Sequence, residues 1–425
     1  MRHHIVLLAG LALQVTLPAQ ESTYAALVVR TSSAELAMDM MAAFNSEAST
    51  LELVDGSHIV LTLDDGGMIN AKVTQGEAPY LALDARPAQL MEIFADRVSG
   101  FEQMAQMFGG MAGMRAGLDA ADISQVLDEI FSFPDQVDAF YFTLQKDPST
   151  DGNIDATLQL NPKSGSWFGS LVSNLQVHPK GLLSILDPQA MITFESNIDI
   201  SKIGEALRPF IAFSTKMTAK PGEDSAKATQ LMDNNFKAID GTFSMNLSPG
   251  QGGMVILSGL RDVELYKKIL HGGDMTEFYA IQQRKNRMVE YEIEESAFVH
   301  RDIKVMKVTQ YMEGMGSMGG NPFADSDGSM TSLLAVAGEC ALMVSAGAEI
   351  GEMKHLIDSV ADQSINRKTL GTNTLANSTV RLAELAEFFG QISRQGFGDA
   401  PDLPEDLMLL LKQVDGNLLI EVTSK

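Results

Sequence analysis

At 425 residues, 45% of them apolar, the chain is long enough for roughly two to four domains with filled cores, and disorder throughout is excluded. A formal net charge of -24, from 55 acidic against 31 basic residues, makes a field that repels phosphate. Nucleic-acid binding and adhesion to anionic lipid head groups are therefore disfavoured, and the acidity suits solubility outside the cytoplasm.

The first residues read as an export signal. Arg2, His3 and His4 form a basic start, IVLLAGLALQV an apolar run of about 11 residues, and Leu17-Pro18-Ala19 the approach to a cleavage point after Ala19. A span needs about 20 apolar residues, so 1–19 reads as a cleaved signal and not as an anchor. No later stretch is long enough to cross a bilayer, and no Cys adjoins the cleavage point to accept a lipid. The sole cysteine, Cys340, opens an alternating apolar strand and reads as a small buried hydrophobe. Export without a disulfide points to a bacterial periplasm or exterior, with stability resting on core burial.

From Ala25 onward a short apolar strand repeatedly passes through a capping residue into an amphipathic helix, the pattern of a strand packed by one helix. Residues 20–78 hold the first such passage and a hairpin, SHIVLTLDDGGMINAKV, whose Asp64-Asp65-Gly66-Gly67 centre tolerates positive φ. Residues 79–180 form a first module: a strand from Tyr80, a helix from about Ala88, a Met and Gly stretch, helix DAADISQVLDEIF, a hairpin of VDAFYFTLQ and IDATLQL, and a closing helix at Trp167 and Phe168. Residues 181–272 repeat that order with strand Ile192 to Glu195, helix ISKIGEAL, helix AKATQLMDNNFKAI, a hairpin of GTFSMNLS and GMVILSG, and a closing helix from Asp262. Asp138 and Asp240 stand at the same place before the two hairpins. Residues 273–370 read as a further antiparallel sheet with a covering helix, AEIGEMKHLIDSV, and a Gly and Met loop; residues 371–425 read as a degenerate third module. Tight turns between consecutive strands imply antiparallel pairing, so the expected class is α+β, built as repeated modules of curved antiparallel sheet backed by helices through internal duplication.

Site candidates are few. Asp147, Ser149, Asp151 and Asp155 fall at positions one, three, five and nine of a calcium loop, with Gly152 at the turn position. Position twelve is Leu158 where that loop needs a bidentate Glu, and Pro, Asp, Gly and Asn also suit a plain hairpin tip. Calcium is the one cofactor the chain suggests.

Phe101, Met104, Met107, Phe108, Met111 and Met114 recur at helical spacing among Gly109, Gly110 and Gly113. Methionine is unbranched and polarizable, so this stripe is a candidate surface for a hydrophobic ligand or protein partner as well as a candidate core face. Gly314-Met-Gly316-Ser-Met-Gly319 matches a dinucleotide pattern formally, but Gly320, Asn321 and Pro322 stand where a helix should begin. The five histidines after the signal are widely separated, and His300-Arg301-Asp302 lacks every companion motif of a kinase. Glu290, Glu292 and Glu294 alternate with apolar residues and read as the solvated face of a strand. Trp167 reads as a packing anchor against the hairpin.

With no catalytic signature, the expectation is an exported, non-catalytic binding or scaffold protein that holds a hydrophobic ligand or partner. The alternatives are an extracytoplasmic hydrolase whose carboxylates or histidines assemble from distant positions, and an oligomeric structural component of the envelope.

Overall fold

Alternating apolar residues broken by tight turns lead to antiparallel sheets with helices on them, and the computed structural model of the chain is a mixed α+β protein of this kind. It describes residues 23–30, 57–64, 69–75, 79–93, 132–145, 154–187, 189–204, 206–220, 222–248, 253–286, 289–312, 329–345, 349–365, 367–385 and 406–424. Described residues up to 93, from 132 to 173 and from 407 onward belong to one compact unit; those from 174 to 406 belong to a second. Among the described residues no helix is long and apolar enough to cross a membrane.

The first unit contains β1 (Thr23–Arg30), β2 (Ser57–Asp64), β3 (Ile69–Gln75), β4 (Leu81–Ala85), β5 (Val137–Leu144) and β6 (Asp155–Pro162), followed at the end of the chain by β17 (Asp406–Val414) and β18 (Asn417–Ser424). They lie side by side as β3-β2-β1-β4-β5-β6-β18-β17, every pair antiparallel. Helix α1 (Pro87–Ile93) follows β4, and α2 (Trp167–Asn174) follows β6. The Ser166 hydroxyl accepts the Gly169 N–H at 2.9 Å, which starts α2 one residue after the Gly-Ser turn. The packing anchor is Phe168 and not Trp167: Phe168 is 6% exposed and meets Phe133 edge to face at 5.1 Å, whereas Trp167 is 36% exposed.

The second unit contains β7 (Leu182–Leu183), β8 (Ile192–Asn197), β9 (Ile239–Ser248), β10 (Gly253–Leu260), β11 (Val289–His300), β12 (Ile303–Met312), β13 (Ser329–Ala337), β14 (Cys340–Ser345), β15 (Arg367–Lys368) and β16 (Thr374–Arg381). The sheet order is β16-β8-β9-β10-β14-β13-β12-β11, again antiparallel throughout, and β7 and β15 pair separately with each other. Its helices are α3 (Arg208–Thr218), α4 (Glu223–Ala238), α5 (Val263–His271), α6 (Asp274–Lys285) and α7 (Ile350–Ala361). The helix expected over ISKIGEAL shrinks to a single 3-10 turn, Ile200–Lys202, and a longer helix starts at Arg208 instead. Pro209 fits the first turn of the new helix, and Gly204 in the middle of ISKIGEAL weakens a helix there.

Helices cover both faces of this sheet. Met353, Leu356 and Ile357 of α7, at helical spacing, pack on Leu257, Leu333, Leu342 and Val344. On the opposite face Leu270 of α5 joins Met306, Val308, Leu334 and Val336, with Tyr279 of α6 stacked 4.8 Å from Tyr291. Asp262 caps α5 by accepting the Leu265 N–H at 2.9 Å. The acidic side of β11 is solvated, as its alternation requires: Glu290, Glu292 and Glu294 are exposed while Val289 is buried. His300-Arg301-Asp302 forms the turn into β12, with φ of 47° and 61° at Arg301 and Asp302. His300 Nε2 lies 2.8 Å from Asp358 Oδ1, and Arg301 pairs with Asp358 and Asp362, so the triplet ties the hairpin to α7.

At the end of α5, His271 has a buried Nδ1 without a hydrogen-bond partner. Desolvation holds its imidazole below the usual 6.5, against the opposing effect of a hydrogen bond to the Glu295 backbone. The unfolded chain then binds this proton more readily than the folded one, so stability is full above pH 6.5 and declines as pH falls below it. His271→Gln should flatten that decline in urea-unfolding midpoints measured across the window, leaving carboxylate-driven losses below about pH 4.5 in place.

Candidate functional site

On β9 the sequence DGTFSMNLS sends Asp240, Thr242, Ser244 and Asn246 to one face of the sheet and Phe243, Met245 and Leu247 to the other. The polar face is the buried one, and the apolar face is only half-buried. Its neighbour β8 behaves alike, with Thr193, Glu195 and Asn197 buried opposite Asn246, Ser244 and Thr242. A solvated sheet normally has the reverse arrangement, because a buried polar group needs a hydrogen bond to replace the water it loses.

A strap formed by residues 176–187 supplies part of that replacement. Ser244 Oγ accepts the Ile185 N–H at 3.2 Å, Asn246 Oδ1 accepts the Asp187 N–H at 3.1 Å, and Asn246 Nδ2 donates to the Ile185 carbonyl at 2.5 Å. The His178 N–H donates to the Asn197 carbonyl at 2.8 Å, and Asp199 N–H to the Gln176 carbonyl at 2.8 Å. Asp240 Oδ1 accepts both the N–H and the hydroxyl of Thr242, each at 2.7 Å. Gly259 of β10 makes room for this arrangement, since a Cβ there would collide with the Thr242 hydroxyl and both Asp240 oxygens. Gly181, at φ 69°, lets the strap pass against the Lys368 carbonyl, where a Cβ would also collide.

Part of the row stays unsatisfied. Glu195 and Asn197 are both fully buried, and neither Glu195 Oε2 nor either amide atom of Asn197 has a hydrogen-bond partner among the described residues. His178 Nδ1 is likewise buried and unpartnered, and its Nε2 stands 3.9 Å from Asp240 Oδ2, beyond hydrogen-bond range. One cation reaches in: Lys368 Nζ lies 2.9 Å from Glu195 Oε1, with the lysine side chain 41% exposed and the glutamate 0%. The ion pair balances the charge, while the directional hydrogen bonds a carboxylate usually collects are missing. Chemically this is a closed polar row that presents acceptors at both ends and an unused amide between them.

Cys340 borders the row, paired with Gly259 across β10 and β14. It is fully buried, and desolvation pushes its thiol up to about 12. Of the residues singled out in the sequence, Asp155 is the exposed first residue of β6, its carbonyl accepting the Gln145 N–H at 2.9 Å. Asp147, Ser149 and Asp151, and the whole Phe101, Met104, Met107, Phe108, Met111 and Met114 stripe, lie outside the described residues. Among the described residues no group of three His, Cys, Asp or Glu side chains is placed to hold a metal. His178, Glu195, Asn197 and Lys368 escaped sequence reasoning, although Asp-x-Thr-x-Ser-x-Asn on β9 and Thr-x-Glu-x-Asn on β8 are polar alternations as regular as the apolar ones beside them. Comparison with family models, curated proteins and solved structures finds no match for the chain.

Two measurements check this geometry. Gly259→Ala should lower stability by about 1–3 kcal/mol in urea unfolding, because the added Cβ would push aside the Asp240 carboxylate and Thr242 hydroxyl and disturb the hydrogen bonds between them. Gly351→Ala, in open space in α7, should be neutral or mildly stabilising. The single thiol should be silent toward Ellman's reagent at pH 8 in the folded protein and titrate as one equivalent in guanidinium.

Proposed function

We propose that the chain is an exported, non-catalytic binding protein that holds an elongated hydrophobic ligand of the acyl-chain type against one face of its second unit. The observation that carries this reading is the inverted polarity of β8 and β9: their polar side chains are buried, while their apolar ones are only partly buried. Phe194, Met245, Ile256 and Met343 are register partners in one row across four strands, and Ile192, Leu247 and Met254 form a second row beside it. Three strand spacings make the first row about 14 Å long, enough to lie along several methylene groups, each contributing about 0.8 kcal/mol when buried. The thioethers of Met245, Met254 and Met343 adapt readily to an acyl chain. The Arg2 start, the apolar run and the Ala19 cleavage point support the export part of this reading, to a bacterial envelope or the exterior.

Internal duplication belongs to the same reading. In the first unit β4, β5 and β6 form a meander whose third strand is next to β18 of the β17-β18 hairpin; in the second, β8, β9 and β10 form a meander whose third strand is next to β14 of the β13-β14 hairpin. The shared order supports two copies of one module.

A hydrolase site assembled from distant residues has one observation in its favour, the approach of His178, Asp240, Glu195 and Lys368 from separate segments. His178 Nδ1 is unpartnered and its Nε2 faces Asp240 at 3.9 Å, so among the described residues it activates no nucleophile and binding is the reading preferred.

Gently purified full-length protein should carry an apolar ligand in native mass spectrometry or solvent extraction, and fatty acids or phospholipids should raise its melting temperature. Met245→Glu should abolish that rise while leaving the circular dichroism spectrum unchanged. A ligand-free protein with no thermal response to either lipid class would overturn the assignment.

A further inference from the structure

We propose that Glu195, Asn197 and Asp240 form a binding site for a linear aliphatic polyamine, in which Lys368 stands in for one of the ligand's ammonium groups. The site is separate from the apolar face, lying on the opposite side of the same strands.

The row has the spacing of an extended chain. Glu195 is opposite Ser244, and Asn197 is opposite Thr242, whose hydroxyl is bonded to Asp240. Two residues along β8 separate Glu195 from Asn197 by about 6.6 Å, and Asp240, diagonal to Asn197 on β9, lies about 7–8 Å further on. Two carboxylates and an amide oxygen repel anions and attract donors. An ammonium group brings three donors and no acceptor, which is the complement of Glu195. A divalent metal needs several ligands converging on one point, and among the described residues no three acidic, His or Cys side chains do so.

Unsatisfied groups supply the second, independent observation. Asn197, 0% exposed, is unpartnered at both of its amide atoms, of which Oδ1 is the acceptor for an ammonium, and Glu195 Oε2 has no partner while Oε1 has only Lys368. Fully buried polar groups are paired in the great majority of proteins, so a row with this many unused atoms is one whose partner is missing. Lys368 shows which chemistry the row accepts, because its ammonium already lies 2.9 Å from Glu195 Oε1. It comes from the two-residue strand β15, held to the strap by β7 pairing and by an Arg367 Nη1 bond to the Gly181 carbonyl at 3.0 Å. The lysine side chain is 41% exposed, so it can swing out into solvent and open the way to Glu195. The net charge of -24 draws polycations to the protein.

Spermidine is the probe, titrated calorimetrically into the full chain at 0.15 M salt, with butylamine for comparison. Saturable binding of one spermidine per chain, stronger than that of butylamine, is expected, with slower amide exchange over residues 176–187 in the bound protein. Lys368→Met should tighten binding about tenfold if the lysine-filled state holds nine-tenths of the population. Glu195→Gln should remove it. Should either variant fail to fold, the wild-type stoichiometry and exchange pattern still decide. Binding that vanishes at 0.15 M salt, or exchange over 176–187 unaffected by spermidine, identifies surface screening and overturns the proposal. Equal affinity of wild type, Lys368→Met and Glu195→Gln overturns it as well.

Discussion

Burial of the polar side of β8 and β9 beneath the 176–187 strap is the contact on which the second unit's arrangement depends. Ser244 and Asn246 could not lie inside without the strap's backbone N–H and C=O groups, and the strap in turn is held by those side chains, by the Asn197 carbonyl and by the pairing of β7 with β15. Once that face is turned inward, period-two geometry leaves no choice for the other: Phe194, Phe243, Met245 and Leu247 must point the opposite way. The half-exposed apolar face and the closed polar row are thus two consequences of one register.

Small residues make that register sterically feasible. Gly259 leaves space for the Asp240 carboxylate, and its partner across the strand pair is Cys340, one of the smaller apolar side chains available. Gly181 admits the Lys368 backbone, which brings the lysine within reach of Glu195. Away from this corner the sheet is conventional, with α7 on one side and α5 and α6 on the other burying apolar clusters around β12, β13 and β14. The polar row therefore lies at one end of a sheet whose other end supplies the stability that a buried, incompletely paired carboxylate draws upon.

Much of the secondary structure was legible in the residues. The β11 alternation of acid and apolar side chains, the Asp262 cap, the Gly-Ser turn before Trp167 and the Cys340 strand all emerged as local patterns dictate. Where local reading failed, a specific competing effect won. Gly204 weakened the helix expected over ISKIGEAL, and Pro209 favoured a start at Arg208 instead. Between the adjacent rings Trp167 and Phe168, burial went to Phe168, a choice that depends on where Phe133, far upstream in the chain, packs and on no property of the pair itself.

The sequence by itself determined the α+β class, the antiparallel pairing and most element positions, because hairpin turns, caps and side-chain periodicity act over a few residues. Only the tertiary structure decided which face of β8 and β9 is inside. Alternation says that Thr, Ser and Asn share a face but not whether water or protein will satisfy them, and here the answer comes from a strap and from Lys368, about 170 residues beyond β8. It also decided that β17 and β18, at the end of the chain, complete the sheet begun by its first strands, since strand neighbours far apart in sequence are chosen by edge pairing and not by local propensity.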